Sequence, residues 1–269
     1  MSIIPPVSED RINGTAFDLS GPKDAPLVVL IHGLGLSRRL WDQHMSAFAD
    51  FRVLRYDLYG HGASDPAPRS ADLSLFSQQL FELMAALDLP KGHIVGFSIG
   101  GMINRRFALD HPEKTASLVI MNSPHDRGEE AQAAVEARAR SVREQGAFST
   151  FDAALQRWFT PAHLANGQSA AKVRDWRGQV DAESYAQTAW VLANGVRELI
   201  APTPPISTKS LVITCENDSG STPSMARAIG AEIAGSETLI IPHLQHLGLM
   251  EDPDAFTKPI LDFLSRSQP

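Results

Sequence analysis

The chain has 269 residues, of which 43% are hydrophobic and 20% are charged, and its formal net charge is -7. Such a composition can form a buried core, which excludes a disordered or fibrous protein, and the acidic balance disfavours a nucleic-acid binder, which normally carries a basic face. The single cysteine, Cys215, excludes an internal disulfide, and the first residues lack the basic and apolar regions of a signal peptide. We therefore expect a cytoplasmic protein, with no membrane span because no apolar run approaches ~20 residues.

Short apolar runs alternate with stretches of helical periodicity in the first half of the chain. The predicted strands are 27–31, 51–56, 94–97 and 116–121, and the predicted helices are 40–48, 74–87 and 101–111. Apolar runs of this length that are rich in β-branched residues are typical of strands buried on both faces of a parallel sheet. The alternation therefore predicts a doubly wound α/β sheet with right-handed crossovers.

The pattern changes after Pro124. Between 127 and 200 no stretch has the pattern of a strand, and residues that favour helices dominate. Helices are predicted there at 128–145, 148–159, 168–178 and 182–200. The alternation then returns, with strands at 211–215 and 237–241 and helices at 222–234 and 253–265. We expect a core domain made of residues 1–126 and 201–269, interrupted by a helical block at 127–200.

The segment HIVGFSIGGM, residues 93–102, ends an apolar strand in a serine flanked by glycines. The pattern G-x-S-x-G between a strand and a helix is typical of a sharp turn in which the serine, Ser98, takes a strained backbone conformation with positive φ. Side chains at 96 and 100 would collide with neighbouring backbone, which explains glycine at both positions. The turn lifts the Ser98 hydroxyl above the sheet, where the amide of Ile99 at a helix N-terminus can stabilise an oxyanion.

A serine hydroxyl needs a general base to become a nucleophile, and that base needs an orienting carboxylate. In a sheet of this kind the acid follows a later core strand, and the histidine comes after it in the chain. We predict Asp218, after strand 211–215, as the acid and His246, after strand 237–241, as the base. Both loops leave the carboxyl ends of strands, where α/β sheets bind their ligands.

Three nearby residues compete for these roles. Glu216 comes directly after its strand, too close to the strand end to turn toward the site. Asp126 is the alternative acid, because it follows the strand that ends near Met121. His243 is the alternative base, but it directly follows Pro242 at a strand end.

A second oxyanion donor is expected in the loop after strand 27–31. In the sequence IHGLG, Gly33 lets the chain turn, and the backbone amide of Leu34 can then point at the reacting oxygen. His32 in this loop, and His61 in the sequence YGHGASD, are expected to brace the loops by hydrogen bonds.

Five motifs in this order resemble the α/β-hydrolase superfamily across nearly the whole chain. They are IHGLG (31–35), RYDLYGHGASD (55–65), GFSIGG (96–101), CEND before Thr-Pro (215–218 and 222–223) and PHLQHLGLMEDPDAF (242–256). The resemblance assigns the nucleophile, acid and base to Ser98, Asp218 and His246. It makes the block 127–200 a helical cap inserted after the strand that ends near Met121. RVLRYDLYGHGASD (52–65) and RWFTP (157–161) are similar to the 3-oxoadipate enol-lactonase-like serine hydrolases.

The resemblance implies a serine hydrolase that cleaves a carboxylic ester or lactone, with an enol-lactone as one candidate, through an acyl-enzyme on Ser98. It implies no metal and no organic cofactor. As partner we expect a small-molecule ester or lactone, no nucleic acid and no membrane, with self-association into a homo-oligomer left open. Two alternatives stay open: a meta-cleavage C–C bond hydrolase, a group that usually carries Asn where Phe97 stands, and a non-catalytic ligand-binding protein of the same fold.

For the substrate pocket we predict five lining residues, His125, Arg127, Trp158, Trp190 and Leu247. His125 lies where the cap and core meet, and the aromatic residues can form an apolar wall, although ordinary packing of the cap on the core is the competing interpretation. Arg127, Arg157 and Arg197 can pair with a substrate carboxylate, but surface exposure is the favoured interpretation for each one.

Overall fold

The computed structural model describes residues 10–267, and these residues form one sheet of eight strands. In chain order the strands are β1 (Asp10–Ile12), β2 (Thr15–Ser20), β3 (Leu27–Ile31), β4 (Arg52–Tyr56), β5 (Gly92–Phe97), β6 (Thr115–Met121), β7 (Ser210–Cys215) and β8 (Glu237–Ile241). Their order across the sheet is β1-β2-β4-β3-β5-β6-β7-β8. The six strands β4, β3, β5, β6, β7 and β8 run parallel, whereas β1 pairs antiparallel with β2 and β2 pairs antiparallel with β4. The predicted doubly wound, mostly parallel sheet is confirmed.

The hairpin of β1 and β2 was not predicted from the sequence. Strand β1 has only three residues and is largely exposed, and β2, with the sequence TAFDLS, mixes polar with apolar residues, so neither shows the apolar run that marks the central strands. A signal was nevertheless present in the turn. Asn13 and Gly14 both have positive φ, 49° and 77°, and Asn-Gly is the pair that favours a tight turn between antiparallel strands.

Helices follow the parallel strands. They are α1 (Leu73–Ala86), α2 (Ile99–Asp110), α3 (Gly128–Gln145), α4 (Phe151–Trp158), α5 (Pro161–Asn166), α6 (Gln168–Gly178), α7 (Ala182–Asn194), α8 (Pro223–Glu232), α9 (Gly248–Glu251) and α10 (Pro253–Ser265). None of the helices between residues 10 and 267 is both long and apolar enough to cross a membrane.

Three helical predictions need correction. The predicted helix 40–48 is two short 3-10 helices, Arg38–Trp41 and Met45–Phe48, and the predicted helix 182–200 is α7 followed by the 3-10 helix Gly195–Leu199. Helix α5 was missed although its ends carry ordinary signals. Thr160 caps it by accepting a hydrogen bond from the His163 amide, Pro161 opens it, and Gly167 ends it in the left-handed conformation.

Side chains of the central strands alternate between two buried layers. On β3, Val29 and Ile31 pack with residues of α1, α2 and α8, whereas Val28 and Leu30 pack on the other face with residues of α10. The sheet is therefore covered on both faces, as a parallel sheet requires. We call residues 128–199, which lie between β6 and β7 and contain α3 to α7, the helical segment.

Candidate active site

Ser98 stands on a sharp turn between β5 and α2. Its φ of 58° and ψ of -115° lie outside the conformations that non-glycine residues normally adopt. Glycine is required at the positions around Ser98 because a side chain there would not fit. A Cβ atom at Gly96 would lie 2.1 Å from the Gly100 carbonyl oxygen, and one at Gly100 would lie 2.6 Å from the Ile31 carbonyl oxygen. The close approach of β5, α2 and the end of β3 is what holds Ser98 in this strained conformation.

The imidazole of His246 lies between a hydroxyl and a carboxylate. Its Nε2 is 3.2 Å from the Ser98 Oγ, and its Nδ1 is 2.7 Å from the Asp218 Oδ2. A carboxylate can only accept, so Nδ1–H donates a hydrogen bond to Asp218 and Nε2 is left to accept one from the Ser98 hydroxyl. This is the arrangement in which a neutral imidazole can take the proton of a serine as the serine attacks.

Asp218 is buried, with 2% of its surface exposed, and both of its oxygens accept hydrogen bonds. Oδ1 accepts from the amides of Gly220 and Ser221, each at 2.9 Å, and Oδ2 accepts from His246 and, at 2.9 Å, from the Asn122 side chain. Burial alone would raise the pKa of Asp218, but the charge of His246 and these hydrogen bonds outweigh burial and hold the pKa below its usual value. The carboxylate is therefore ionised at neutral pH.

Asn122 is a residue of the site that was not found from the sequence. It follows β6 directly, has a positive φ of 46°, and contacts Asp218 through Nδ2. Polar residues at the carboxyl ends of neighbouring parallel strands meet at one edge of the sheet, and that placement was the available signal.

The three competing residues lie elsewhere. Asp126 is exposed and accepts a hydrogen bond from the Gly128 amide at 2.9 Å. Glu216 accepts from the backbone amide of His243, whose side chain is 91% exposed. None of the three contacts Ser98 or His246.

The two backbone amides predicted as oxyanion donors, those of Ile99 and Leu34, have no hydrogen-bond acceptor in the part of the chain that the structure describes. Ile99 is the first residue of α2, so its amide has no acceptor within the helix. The Leu34 amide likewise has no acceptor among residues 10–267. His32 braces the Leu34 loop as predicted, because its Nδ1 donates to the Gly33 carbonyl at 2.8 Å and its Nε2 accepts from the Leu58 amide at 3.0 Å. His61 donates in the same way to the Tyr59 carbonyl, at 3.0 Å.

A cavity of about 180 Å³ opens beside Ser98. Its floor is formed by strand ends and loops, including Leu34, Ser98 and His246, and its walls come from helices α3, α4, α6 and α7 of the helical segment. The Trp158 ring lies 6.3 Å from the His246 ring, between centroids. A molecule in this cavity would touch both the strand ends and the helical segment.

Residues 28–258 match the α/β hydrolase family. The chain belongs to that family. It is similar to 3-oxoadipate enol-lactonase 2 of Acinetobacter baylyi, with 30% identity over 249 residues that cover 91% of each chain. The resemblance seen in the five sequence motifs is thereby confirmed.

Solved structures of other α/β hydrolases agree with this assignment. The enol-lactonase of Burkholderia xenovorans LB400 is similar with a TM-score of 0.85 and 28% identity, covering 93% of this chain and 96% of that one. A thermophilic esterase from Thermogutta terrifontis is similar with a TM-score of 0.84 and 25% identity, covering 98% of both chains.

Three of the residues predicted to line the pocket of this hydrolase do lie at the cavity: Arg127, Trp158 and Leu247. Trp158 and Leu247 are also joined by their backbones, because the Leu247 amide donates to the Trp158 carbonyl at 2.8 Å. Arg127 is held by the protein, since Nη2 donates to the Leu192 carbonyl at 2.9 Å and Nη1 to the Ala193 carbonyl at 3.2 Å.

The other two predicted lining residues lie outside the cavity. His125 is buried and its Nε2 is 2.9 Å from a carboxylate oxygen of Glu232 on α8, which holds the ring against the core. Trp190 is 43% exposed and lies under the Arg140 guanidinium, 5.7 Å from its ring centroid, because it occupies the outer face of α7. Arg197 is exposed as expected and pairs with Glu136 at 3.1 Å.

Among residues 10–267, no cluster of three or more His, Cys, Asp or Glu side chains has a geometry that could bind a metal ion.

Proposed function

We propose that the protein is a serine hydrolase that cleaves a carboxylic ester or lactone through an acyl-enzyme on Ser98. The proposal depends on one observation, the two contacts of the His246 ring. Its Nε2 is 3.2 Å from the Ser98 Oγ, and its Nδ1 is 2.7 Å from Oδ2 of the buried Asp218. Similarity to proteins named as enol-lactonases and as an esterase supports the same bond class.

In the first half of the reaction, Ser98 Oγ attacks the carbonyl carbon while His246 Nε2 takes the hydroxyl proton. The carbonyl oxygen becomes an oxyanion, which accepts hydrogen bonds from the amides of Leu34 and Ile99. Loss of one such donor typically costs about 2.7–4 kcal/mol of transition-state stabilisation. The bond to the leaving oxygen then breaks, and His246 returns its proton to that oxygen.

In the second half, a water molecule attacks the acyl-enzyme while His246 takes one of its protons. Breakdown of this intermediate releases the acid and restores the Ser98 hydroxyl. Asp218 stabilises the imidazolium that forms in each half and keeps Nδ1 protonated. For a lactone the leaving oxygen stays on the same molecule, so the product is a single hydroxy acid or, from an enol-lactone, a keto acid.

We further propose that the fold has two parts with different tasks. Residues 1–126 and 201–269 form a core domain that carries the reacting groups, and residues 127–200 form a cap that selects the substrate. The position of the cavity, with strand ends on one side and the helical segment on the other, supports this division.

The test compares the purified protein with a Ser98→Ala variant on short p-nitrophenyl esters and on simple lactones, with thermal melting as the check of folding. We expect kcat to fall by about 10⁴- to 10⁶-fold in the variant, the range seen when a serine nucleophile is removed. Equal and negligible turnover by both proteins would overturn the proposal. Tight binding of such compounds without turnover would then favour the ligand-binding alternative.

A further inference from the structure

The cavity beside Ser98 is strongly cationic although the chain as a whole is acidic. Its lining contains four arginines, Arg127, Arg138, Arg157 and Arg177, and one acidic residue, Asp218, whereas the whole chain has a net charge of -7. Asp218 is already engaged by His246 and Asn122 and by two backbone amides. The positive charges of the cavity therefore have no counter-charge in its lining.

Arg177 is the most deeply placed of these arginines. It lies on α6 with 2% of its surface exposed. Its guanidinium carbon is 4.9 Å from the ring centroid of Phe151, 5.0 Å from that of Trp158 and 5.1 Å from that of Tyr185. Three aromatic rings therefore fix the guanidinium in one place and compensate part of its desolvation.

The polar atoms of Arg177 are largely unpaired. Nη1 donates to the Ala147 carbonyl at 3.3 Å, but Nε is enclosed without any acceptor. Nη2 has no acceptor among residues 10–267, and it is not among the fully enclosed polar atoms, so it retains access to the cavity. A buried charge without an ionic partner is expensive, by several kcal/mol in a typical protein interior, and an anionic ligand would supply the missing partner.

Arg157 on α4 adds a second unpaired charge. It is half-buried and forms no hydrogen bond or ion pair within the described part of the chain, residues 10–267. Partial burial of the guanidinium, followed by the charge of Arg157, lowers the pKa of Arg138. Burial, with Arg157 as a smaller cause, also lowers the pKa of Arg177. The like charges therefore act on one another, and a bound anion would relieve that repulsion.

The guanidinium of Arg177 also lies close to the proposed oxyanion loop. A Cβ atom at Gly35, the residue after Leu34, would lie 3.0 Å from Nε and 3.2 Å from Nη2. An anionic group on Nη2 would therefore sit beside this loop, within the same cavity as the Ser98 hydroxyl. A small acid whose reactive ester lies a few bonds from its carboxylate has the dimensions to contact both Arg177 Nη2 and the Ser98 hydroxyl.

We propose that the substrate carries a free carboxylate, and that Arg177, with Arg157 beside it, binds that group and thereby orients the ester or lactone carbonyl toward Ser98. This inference rests on the proposed hydrolase function and names its substrate class. A planar guanidinium suits a carboxylate because the two form parallel, charge-assisted hydrogen bonds. Arg127 is not part of this site, since its donors are bound to backbone carbonyls.

The test compares two esters that differ in one charge, monomethyl adipate and dimethyl adipate, with hydrolysis followed by pH-stat titration. We expect kcat/KM of the wild-type protein to be higher for the monoanion. In Arg157→Gln and Arg177→Gln the ratio of the two kcat/KM values should fall by about 10- to 100-fold, the range for loss of a hydrogen bond to a charged group. The loss should arise mainly from a higher KM for the monoanion. Raising the ionic strength should weaken the preference of the wild-type protein for the monoanion.

Arg174→Gln is the matched control. Arg174 lies on the same helix three residues away, with 57% of its side chain exposed and an ion pair to Asp152 at 3.2 Å, so its removal should leave the ratio as in the wild type. Arg177→Lys keeps the charge but loses the planar fork, and an intermediate ratio is expected. If Arg177→Gln does not fold, Arg157→Gln still tests the site, because Arg157 is only half-buried.

Two outcomes would overturn the inference: a wild-type ratio of one or less, or a ratio unchanged in both glutamine variants. Hydrolysis of dimethyl adipate that depends on Ser98 would leave the proposed function standing in either case. If neither ester is hydrolysed in a way that depends on Ser98, the proposed function is contradicted. In that case the anion site is tested alone, by calorimetric titration of adipate into the Ser98→Ala protein. Binding that is lost in the Ser98→Ala, Arg157→Gln double variant would support the anion site. Absence of binding to the Ser98→Ala protein would overturn the anion site.

Discussion

The two sides of the cavity differ in how their polar groups are satisfied. On the strand side, Asp218 accepts four hydrogen bonds, and His246 is held between Asp218 and Ser98. On the side of the helical segment, Arg157 has no polar partner among residues 10–267, and Arg177 has one. The groups proposed for chemistry are therefore preorganised by the protein, whereas those proposed for recognition are incomplete until a ligand arrives.

Packing differs between the same two regions. Every residue of β3 and β5 is buried, whereas helix α3, with 18 residues, buries only Ala139 and Val142. Since buried apolar surface supplies most of the free energy of folding, changes around the strands should affect stability more than changes in the helical segment. The following predictions test this contrast between the two regions.

The largest effect is expected at the strand side of the cavity. His246→Ala removes the one base that contacts Ser98 among residues 10–267, and kcat should fall by about 10⁴-fold or more, as for other members of such triads. His243→Ala is the matched control, because that side chain is 91% exposed and should leave kcat within about two-fold of wild type. Steady-state kinetics on one p-nitrophenyl ester measures both. Equal losses in the two variants would mean that the base has been misassigned.

A methyl group added at Gly100 should strongly reduce stability. Its Cβ would lie 2.6 Å from the Ile31 carbonyl oxygen, a backbone atom that cannot move aside, so Gly100→Ala should lower the free energy of unfolding by about 3 kcal/mol or more. In the helical segment, Gly178→Ala meets nothing closer than the Phe148 Cζ at 3.9 Å, and stability should stay unchanged or rise by up to about 1 kcal/mol. Urea unfolding compares the two, and a similar loss in both would contradict the contrast.

Acid should destabilise the strand region through its buried histidines. Burial lowers the pKa of His44 from 6.5 to about 4, and it outweighs the opposing effects of the Leu249 backbone and of Asp254. Because the unfolded chain then binds the proton first, stability is unaffected above pH 6.5 and falls as the pH drops toward 4, by at most about 3 kcal/mol from this one residue.

The measurement is urea unfolding at a series of pH values. His44→Gln removes the titrating ring, so its free energy of unfolding should fall less between neutral and acidic pH than that of the wild type. His243→Gln, which replaces an exposed ring, should keep the wild-type pH dependence. A pH dependence of His44→Gln identical to wild type would show that the ring is protonated equally well in the folded and unfolded chain.

Asn122 offers a smaller test of preorganisation at the strand side. Asn122→Ala removes one of four donors to Asp218, so kcat should fall by about 10- to 100-fold, the effect of losing a hydrogen bond to a charged group, while KM changes little. Asn122→Asp places a second carboxylate against Asp218 and should shift the pH profile of kcat as well. A profile that is unmoved in Asn122→Asp would indicate that Asn122 serves the fold and not the position of Asp218.

The strand side of the site was predictable because its signals are local. Ser98 lies in a glycine pattern that is typical of a strand–turn–helix when a strand precedes it and a helix follows, and Asp218 and His246 follow strands whose apolar runs are plain in the sequence. Parallel strands bring their carboxyl ends to one edge, so order along the chain was enough to predict that these residues meet. Asn122 also lies at the carboxyl end of a parallel strand. It was missed because an amide side chain is neither a nucleophile nor an acid or base.

The helical side was harder because its contacts depend on how helices pack. Arg177 and Arg174 are three residues apart on α6. Only Arg177 shares the helical face of the buried Val173 and Trp176, but an arginine is mostly exposed even at such a position, so the spacing alone did not indicate its burial. Only the packing of α6 against Phe151 and Gly35 makes Arg177 part of the cavity. Trp190 was misplaced for a related reason, since α7 presents Tyr185 and Ala189 to the cavity and turns the next residue outward.

The smallest expected effect separates the two tryptophans that the sequence treated alike. Trp158→Ala opens the cavity wall beside His246 and removes a ring from the Arg177 guanidinium, so KM should rise several-fold or more. Trp190→Ala takes away only an exposed ring under Arg140, a contact worth about 0.5–1 kcal/mol, and kcat and KM should both stay at wild-type values. Kinetics on a neutral and an anionic ester would check this. An altered KM in Trp190→Ala would mean that substrate reaches the outer face of α7, and the cavity would then extend beyond the walls described for it.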